Sequence, residues 1–406
     1  MRIPRTHLLV LVAMCCLVAA SVGLLSNVQG IFFDPVASEL GVLKGQVSLT
    51  LTIVSICGGL AGMLTPRFIN TKRIRLLVIV LAAVVGLSTA GFSLCRDIVA
   101  MYVLSVIRGF AGGLLGMVFA TTILNNWFQS NIGLVTSIAI GCSGISGSAF
   151  SLIVSDVVQQ SGWRTGYLFV AVLYVILVLP TVFFLPSSTP AACGLVPFGT
   201  PAMHVPAGVS SHVEKEAGPV NPLLFGLLVA FAILAHGPAA LSQHLPGMAD
   251  SFGLGASVGA TMLAASMITN TVGKIAFGAL SDSLGAKRSI LIYGTIVTAA
   301  LAAFLLVHGT GMTIISAAVY GLTFSVNTVG ITMSTRELFG QENYAKIYPR
   351  AAFAGSLSYA AFASIIGFMY DFTGGYQLAL CMVIVMTLAA MGVTQLAYAR
   401  RQKLEA

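Results

Sequence analysis

The sequence predicts an all-α polytopic membrane protein, with twelve transmembrane helices in two six-helix halves. Three observations predict it. Hydrophobic residues make up 57% of the 406-residue chain and charged residues 8%. A soluble domain carries about 25% charged residues, so there are too few charges here to cover a water-facing surface. Apolar runs of the roughly 20 residues that a bilayer crossing needs recur along the whole chain. The basic residues, finally, fall almost entirely on alternate loops between those runs.

The runs occupy 7–32, 45–66, 74–95, 98–124, 133–158, 165–185, 222–246, 254–280, 289–308, 311–334, 346–370 and 375–399. Arg2 and Arg5 before the first run, and Ala19-Ala20 within it, give it the outline of a secretory leader. It is longer than the apolar core of a leader and many similar runs follow, so it reads as a retained first span. The fourth and fifth runs are rich in small residues, at Gly109-Phe-Ala-Gly112-Gly113 and at Gly141-Cys-Ser-Gly144-Ile-Ser-Gly147. Small residues let helix backbones approach closely. A β-barrel would instead show short alternating strands. The one long connection, 187–221, holds Pro190, Pro197, Pro201, Pro206 and Pro219, with Glu214-Lys215-Glu216. It reads as a flexible linker between an N-terminal half, 1–186, and a C-terminal half, 222–406.

Charge sets the orientation. With the N-terminus in the cytoplasm, Lys44, Arg96 and Arg164 are the only basic residues on outer loops, and Arg108 and Lys274 lie within spans. The other 15 of the 20 Lys and Arg are then cytoplasmic. This asymmetry predicts a multi-pass plasma-membrane protein, in a bacterial inner membrane, with both termini inside. It also accounts for the net charge of +8 without a nucleic-acid partner. The seven cysteines form no C-x-x-C pair and no cluster with metal spacing, and read as small buried hydrophobes. No nucleophile–base pair or phosphate-cradling loop stands out, so neither an enzyme nor a cofactor is expected.

Arg108 and Lys274 are the chemically informative residues. A charge at membrane depth costs at least about 2.5–3.5 kcal/mol and usually faces a pathway or a partner, and no Asp or Glu lies deep in any run. Either one cation from each half meets an anionic substrate, or Arg108 bonds backbone carbonyls and Lys274 snorkels to its helix end. Asn270 lies one turn before Lys274 on the same face. Asn27 and Asn327 are amides in otherwise apolar runs, as cavity lining or as helix glue. His236-Gly237-Pro238 interrupts the seventh run, since Pro removes a helical hydrogen bond. Broken helices mark substrate sites in transporters, and a histidine there titrates near neutral pH unless perturbed. His236 is thus a proton carrier or a plain buried histidine, and Tyr359 in the eleventh run packs on a substrate or on neighbours.

The loop Gly278-Ala-Leu-Ser-Asp282-Ser-Leu-Gly285-Ala-Lys287-Arg288 resembles the signature loop of the major facilitator superfamily, G-x-L-x-D-R-x-G-R-R. The matching loop after the second run is Gly62-Met-Leu-Thr-Pro66-Arg67, with Pro66 where the Asp usually stands. Arg108-Gly-Phe-Ala-Gly112 and Gly162-Trp163-Arg164 are similar to that superfamily's fourth-helix motif and sixth-helix start. Asn126-Trp127-Phe128 with Gly133-Leu134, and Asp371-Phe-Thr-Gly-Gly-Tyr376, resemble its oxalate/formate antiporter and monocarboxylate transporter group. That resemblance implies a basic residue four positions before Gly278 as the carboxylate contact, which is Lys274 here. It implies a second basic residue on the eleventh helix, where this chain has Gly355. A single-carboxylate substrate follows more readily than a compact dicarboxylate.

The resemblance implies a secondary active transporter of a small organic anion, such as a monocarboxylate. It would work by alternating access as a monomer, through proton-coupled symport or anion exchange. The expected substrate contacts are Lys274, Arg108, Asn270, Asn27, Asn327, His236 and Tyr359, with Gly278, Asp282 and Arg288 closing the cytoplasmic side. The competing expectations are a drug or metabolite exporter of the same fold and a non-transporting membrane sensor.

Overall fold

The structure is a computed structural model that describes residues 4–69, 73–129, 132–199, 220–306 and 309–405. Most of the expected linker, including Glu214-Lys215-Glu216, lies outside the described residues. Arg2, Lys72, Ser130 and Asn131 lie outside them too. The described chain is almost entirely helical. In a bilayer each backbone N–H and C=O must find its partner within the protein, and a helix meets that demand locally.

The helices in order are α1 (Arg5–Val18), α2 (Phe33–Leu40), α3 (Lys44–Ile69), α4 (Ile74–Phe92), α5 (Ile98–Leu114), α6 (Met117–Trp127) and α7 (Ile132–Phe184). There follow α8 (Pro222–Ala239), α9 (Leu245–Ser251), α10 (Ala256–Leu284), α11 (Ala286–Leu306), α12 (Thr310–Tyr320), α13 (Thr323–Ser325), α14 (Ile331–Thr373) and α15 (Gln377–Glu405). Eleven stretches among the described residues are long and apolar enough to cross a membrane. One of them, Ile138–Phe184, has 47 residues, or about 70 Å of helix. That is twice a bilayer's hydrocarbon thickness. Gly162, at φ +79° and ψ 164°, breaks it into two, which restores twelve crossings.

Local chemistry fixes several ends. Asp97 caps α5 by accepting from Ala100 N at 2.8 Å. Asn221 caps α8 by accepting from Leu223 N and Leu224 N, with Pro222 at the first helical position. Two runs are interrupted, the first, which was expected to be continuous, and the seventh, where a break at Pro238 was expected. The first run passes from α1 into a π-helical turn (Ala19–Leu24) and then a 3₁₀ turn (Gln29–Phe32). Ser21 Oγ donates to Leu17 O and Ser26 Oγ to Ser21 O, competing for carbonyls that a regular helix would use. The seventh run stops being α-helical at Ala239, just past Pro238, and continues as a 3₁₀ turn (Ala240–His244).

The chain forms two compact units. One comprises residues up to Pro201 together with Leu245–Ala264, the other Ala202–His244 together with Ala265–Ala406. In the first, α3 packs on α5, α1 on α7, and α4 on both α5 and α7. The fourth-run glycines make the α3–α5 approach possible. A Cβ on Gly113 would sit 2.2 Å from Gly58 O, and one on Gly109 2.7 Å from Val54 O. Arg164 ties α7 to α2 and to the loop after α4: it donates to Ser93 O at 2.6 Å, to Cys95 O at 2.8 Å and to Glu39, which also accepts from Trp163 Nε1. In the second unit α8 packs on α14 and α15, and α11 on α12 and α15. Leu228, Phe231, Phe277, Ile290 and Ile347 lie in its core.

Candidate substrate-binding site

In the first unit, α5 carries Arg108 into the interior, where it is 4% exposed. Its Nη2 donates to Leu25 O at 2.8 Å, and its guanidinium lies 5.6 Å from the centre of the Phe92 ring. The carbonyl is offered by the irregular first run, where Leu25 N bonds Ala20 O and Asn27 N bonds Val22 O, five residues back in each case. Arg108 Nε is buried without a hydrogen-bond partner. Asn27 Nδ2 donates to Ser143 O at 3.2 Å, and Gly147 makes room for it, since a Cβ there would come within 2.8 Å of that nitrogen. Arg108 and Asn27 thus both have bonds that join helices.

In the second unit, Lys274 is different. It sits within the apolar helix α10, half-buried, next to Gly273. Among the described residues its ammonium makes no hydrogen bond and no ion pair. Asn270, a turn earlier, is buried, with Oδ1 unpartnered and Nδ2 only 3.9 Å from Met267 Sδ. Asn327 is buried in a π-helical turn, Val326–Gly330, and its Oδ1 also lacks a partner.

His236 lies near the end of α8. Its Nδ1 is 3.0 Å from Ala232 O. A carbonyl only accepts, so Nδ1 carries the hydrogen of the neutral ring and Nε2 is left as the proton acceptor. The ring lies against Gly355 of α14, where an added Cβ would be 2.3 Å from Nδ1. Beyond it, Gln243 Nε2 donates to Tyr359 OH at 2.7 Å. Tyr320 OH donates to Pro238 O at 2.7 Å and Ala239 O at 3.1 Å, and Ser358 Oγ donates to Ile233 O at 2.8 Å. The interrupted seventh run is therefore held by hydroxyls from α12 and α14. His236, Gly355, Gln243 and Tyr359 form one neighbourhood around that interruption. Among the described residues no group of three or more His, Cys, Asp or Glu has metal-binding geometry.

The sequence matches the Major Facilitator Superfamily over residues 15–246 and again over 224–405. The chain belongs to the Major Facilitator Superfamily. Among solved structures it is similar to the nucleoside transporter NupG, with 13% identity and a TM-score of 0.72 over 96% of this chain and 100% of that one. It is equally similar to a bacterial homologue of the human lysosomal transporter Spinster in an inward-facing, unoccupied conformation. That match has 11% identity and a TM-score of 0.72 over 99% of both chains. At these identities the likeness is one of fold. No curated protein matches the sequence.

The superfamily loop between α10 and α11 shows a further arrangement. Gly278 faces open space, and Asp282 and Arg288 are exposed. Neither Asp282 nor Arg288 takes part in an ion pair among the described residues. The polar contact at this loop comes from Glu337 instead. Its Oε1 accepts from Ala286 N at 2.8 Å and its Oε2 from Tyr398 OH at 2.5 Å. A carboxylate at the first turn of α11 meets the helix's unpaired N–H groups and its positive dipole end. Sequence reasoning in this superfamily member missed Glu337, and also Tyr320, Ser358, Thr323 and Ser325. The available signal for Tyr320 was Pro238: an interrupted helix leaves carbonyls that need donors from a neighbouring span.

Proposed function

We propose that the chain is a secondary active transporter of a small organic monoanion, a monocarboxylate, with Lys274 as its counter-charge. The observation that carries this reading is a lysine inside an apolar helix with no partner among the described residues. Holding an ammonium at that depth is costly unless something compensates it, and a substrate carboxylate is the compensation a transporter has at hand. Of the two cations the argument rests on Lys274, because Arg108 already spends Nη2 on a backbone carbonyl. One compact point charge suits one carboxylate, whereas paired carboxylates favour a second cation. Gly355, with His236 against it, supports the same choice.

Proton-coupled symport is the mode that His236 supports, because its Nε2 is a proton acceptor beside the interrupted helix. The placement of Lys and Arg supports a bacterial inner-membrane protein with both termini in the cytoplasm. The reading is tested with purified protein in proteoliposomes loaded with unlabelled substrate. Uptake of labelled lactate, pyruvate, oxalate, a nucleoside and a lipophilic cation is compared. The expected result is counterflow of a monocarboxylate. Counterflow of the nucleoside or cation alone would replace this reading with another substrate class.

A further inference from the structure

Of the seven cysteines, expected as small buried hydrophobes, only Cys95 is buried; Cys15, Cys16 and Cys142 are half-buried. Two of these meet. The Cys15 and Cys142 thiols share a hydrogen bond across the contact between α1 and α7, within the first unit. The contact continues along the first run at intervals of four residues. Ser146 Oγ donates to Ala19 O at 3.3 Å, Gly23 lies against Ser146, and Asn27 lies against Gly147. The first run and α7 are therefore pinned together one turn beyond the thiol pair, and both sulfurs stay within reach of a single ligand atom.

Two thiols in contact take up a thiophilic centre, and the surroundings select which. Among the described residues no group of three or more His, Cys, Asp or Glu has metal-binding geometry, so Cys16, next in the chain, does not complete a larger donor set. Two donors do not make the four-ligand shell of zinc. A soft cation held by two sulfurs in a line sets them about 4.6 Å apart, at metal–sulfur bonds of about 2.3 Å. Thiols in hydrogen-bond contact are closer than that, and the contacts at Ala19 and Gly23 keep the two segments from spreading. The centre that fits is bent at its two sulfurs.

Charge narrows the choice further. Both cysteines lie within apolar runs, where an ionised side chain is costly. Disulfide formation proceeds through a thiolate. A monosubstituted trivalent arsenic oxide needs no ionised sulfur. Its arsenic–oxygen bond breaks, two arsenic–sulfur bonds form, and both thiol protons leave on that oxygen as water. Arsenic stays trivalent and bent, and reactants and products are all neutral.

We propose that Cys15 and Cys142 form a dithiol site for a monosubstituted trivalent arsenical, with the arsenic bridging α1 and α7. The site is independent of the carboxylate reading and of Lys274.

The test treats the full-length, reduced protein in detergent with phenylarsine oxide and then with excess 2-mercaptoethanol, which strips arsenic from single thiols. Intact mass and alkylation mapping read the result. The expected outcome is one adduct per chain that survives the monothiol, protects Cys15 and Cys142 from alkylation, and is released by 1,2-ethanedithiol. Cys15→Ala and Cys142→Ala should each lose the adduct, and Cys16→Ala should keep it. The wild-type mapping decides the matter even where a variant fails to fold. No monothiol-resistant adduct on the wild-type protein overturns the proposal, as does protection that falls on Cys16 or on another cysteine in place of either member of the pair.

Discussion

His236 occupies the space that any side chain on Gly355 would need. A Cβ built at 355 lies 2.3 Å from His236 Nδ1 and 2.5 Å from its Cε1. The ring is fixed there by its bond to Ala232 O, so it cannot step aside without losing that bond. The absence of a basic residue at 355 and the presence of an imidazole on the facing helix are two sides of one packing choice.

Gly355→Ala should therefore destabilise the protein by about 1–3 kcal/mol, the usual range for overpacking a filled interior. In His236→Ala the same glycine substitution should cost far less. A double-mutant cycle by thermal unfolding in detergent measures the coupling, expected above about 0.5 kcal/mol for residues in contact. Additive effects would show that the ring and position 355 do not share that space.

His236→Gln keeps a polar side chain of similar reach but removes the proton acceptor. Accumulation driven by an imposed pH gradient should fall more than tenfold, with a smaller loss in substrate counterflow. Flux measurements in the two modes on the same vesicles check this. Equal losses would place His236 in packing alone.

Tyr320→Phe deletes one hydroxyl and leaves the Pro238 and Ala239 carbonyls without that donor. Buried groups stripped of a partner cost about 1–3 kcal/mol. The loss should be local, so amide hydrogen exchange should rise at 239–245 more than across the rest of α8.

Gly113→Ala and Gly112→Ala differ by one position and should differ sharply in outcome. A Cβ at 113 would come 2.2 Å from the Gly58 carbonyl, whereas one at 112 finds Val85 Cγ2 at an ordinary 3.9 Å. Folded yield and melting temperature should drop for the first and stay near wild type for the second.

The spans were legible because hydropathy over 20 residues averages out local detail. Arg108, Lys274 and His236 were legible because charged or titratable groups are rare at that depth. The interruption after Pro238 was legible from the missing N–H alone. What the sequence hid was partnership. Nothing local says that Arg108 reaches Leu25, 83 positions away, or that Glu337 rather than Asp282 bonds the start of α11. Thr323 and Ser325 pass as ordinary small polar residues of an apolar run. Only the fold shows that Ser325 lies against Gly273 of α10, while Thr323 lines a cavity with residues of α8, α11 and α15.

Lys274 carries the central claim, and Lys274→Gln tests it most directly. Glutamine keeps a polar side chain of comparable girth and removes only the charge. Counterflow of the best monocarboxylate should fall to the level of protein-free vesicles, while the detergent-solubilised protein keeps its melting temperature or gains a few degrees, since an uncompensated buried charge has been removed. Monocarboxylate counterflow at the wild-type rate in Lys274→Gln would contradict the account.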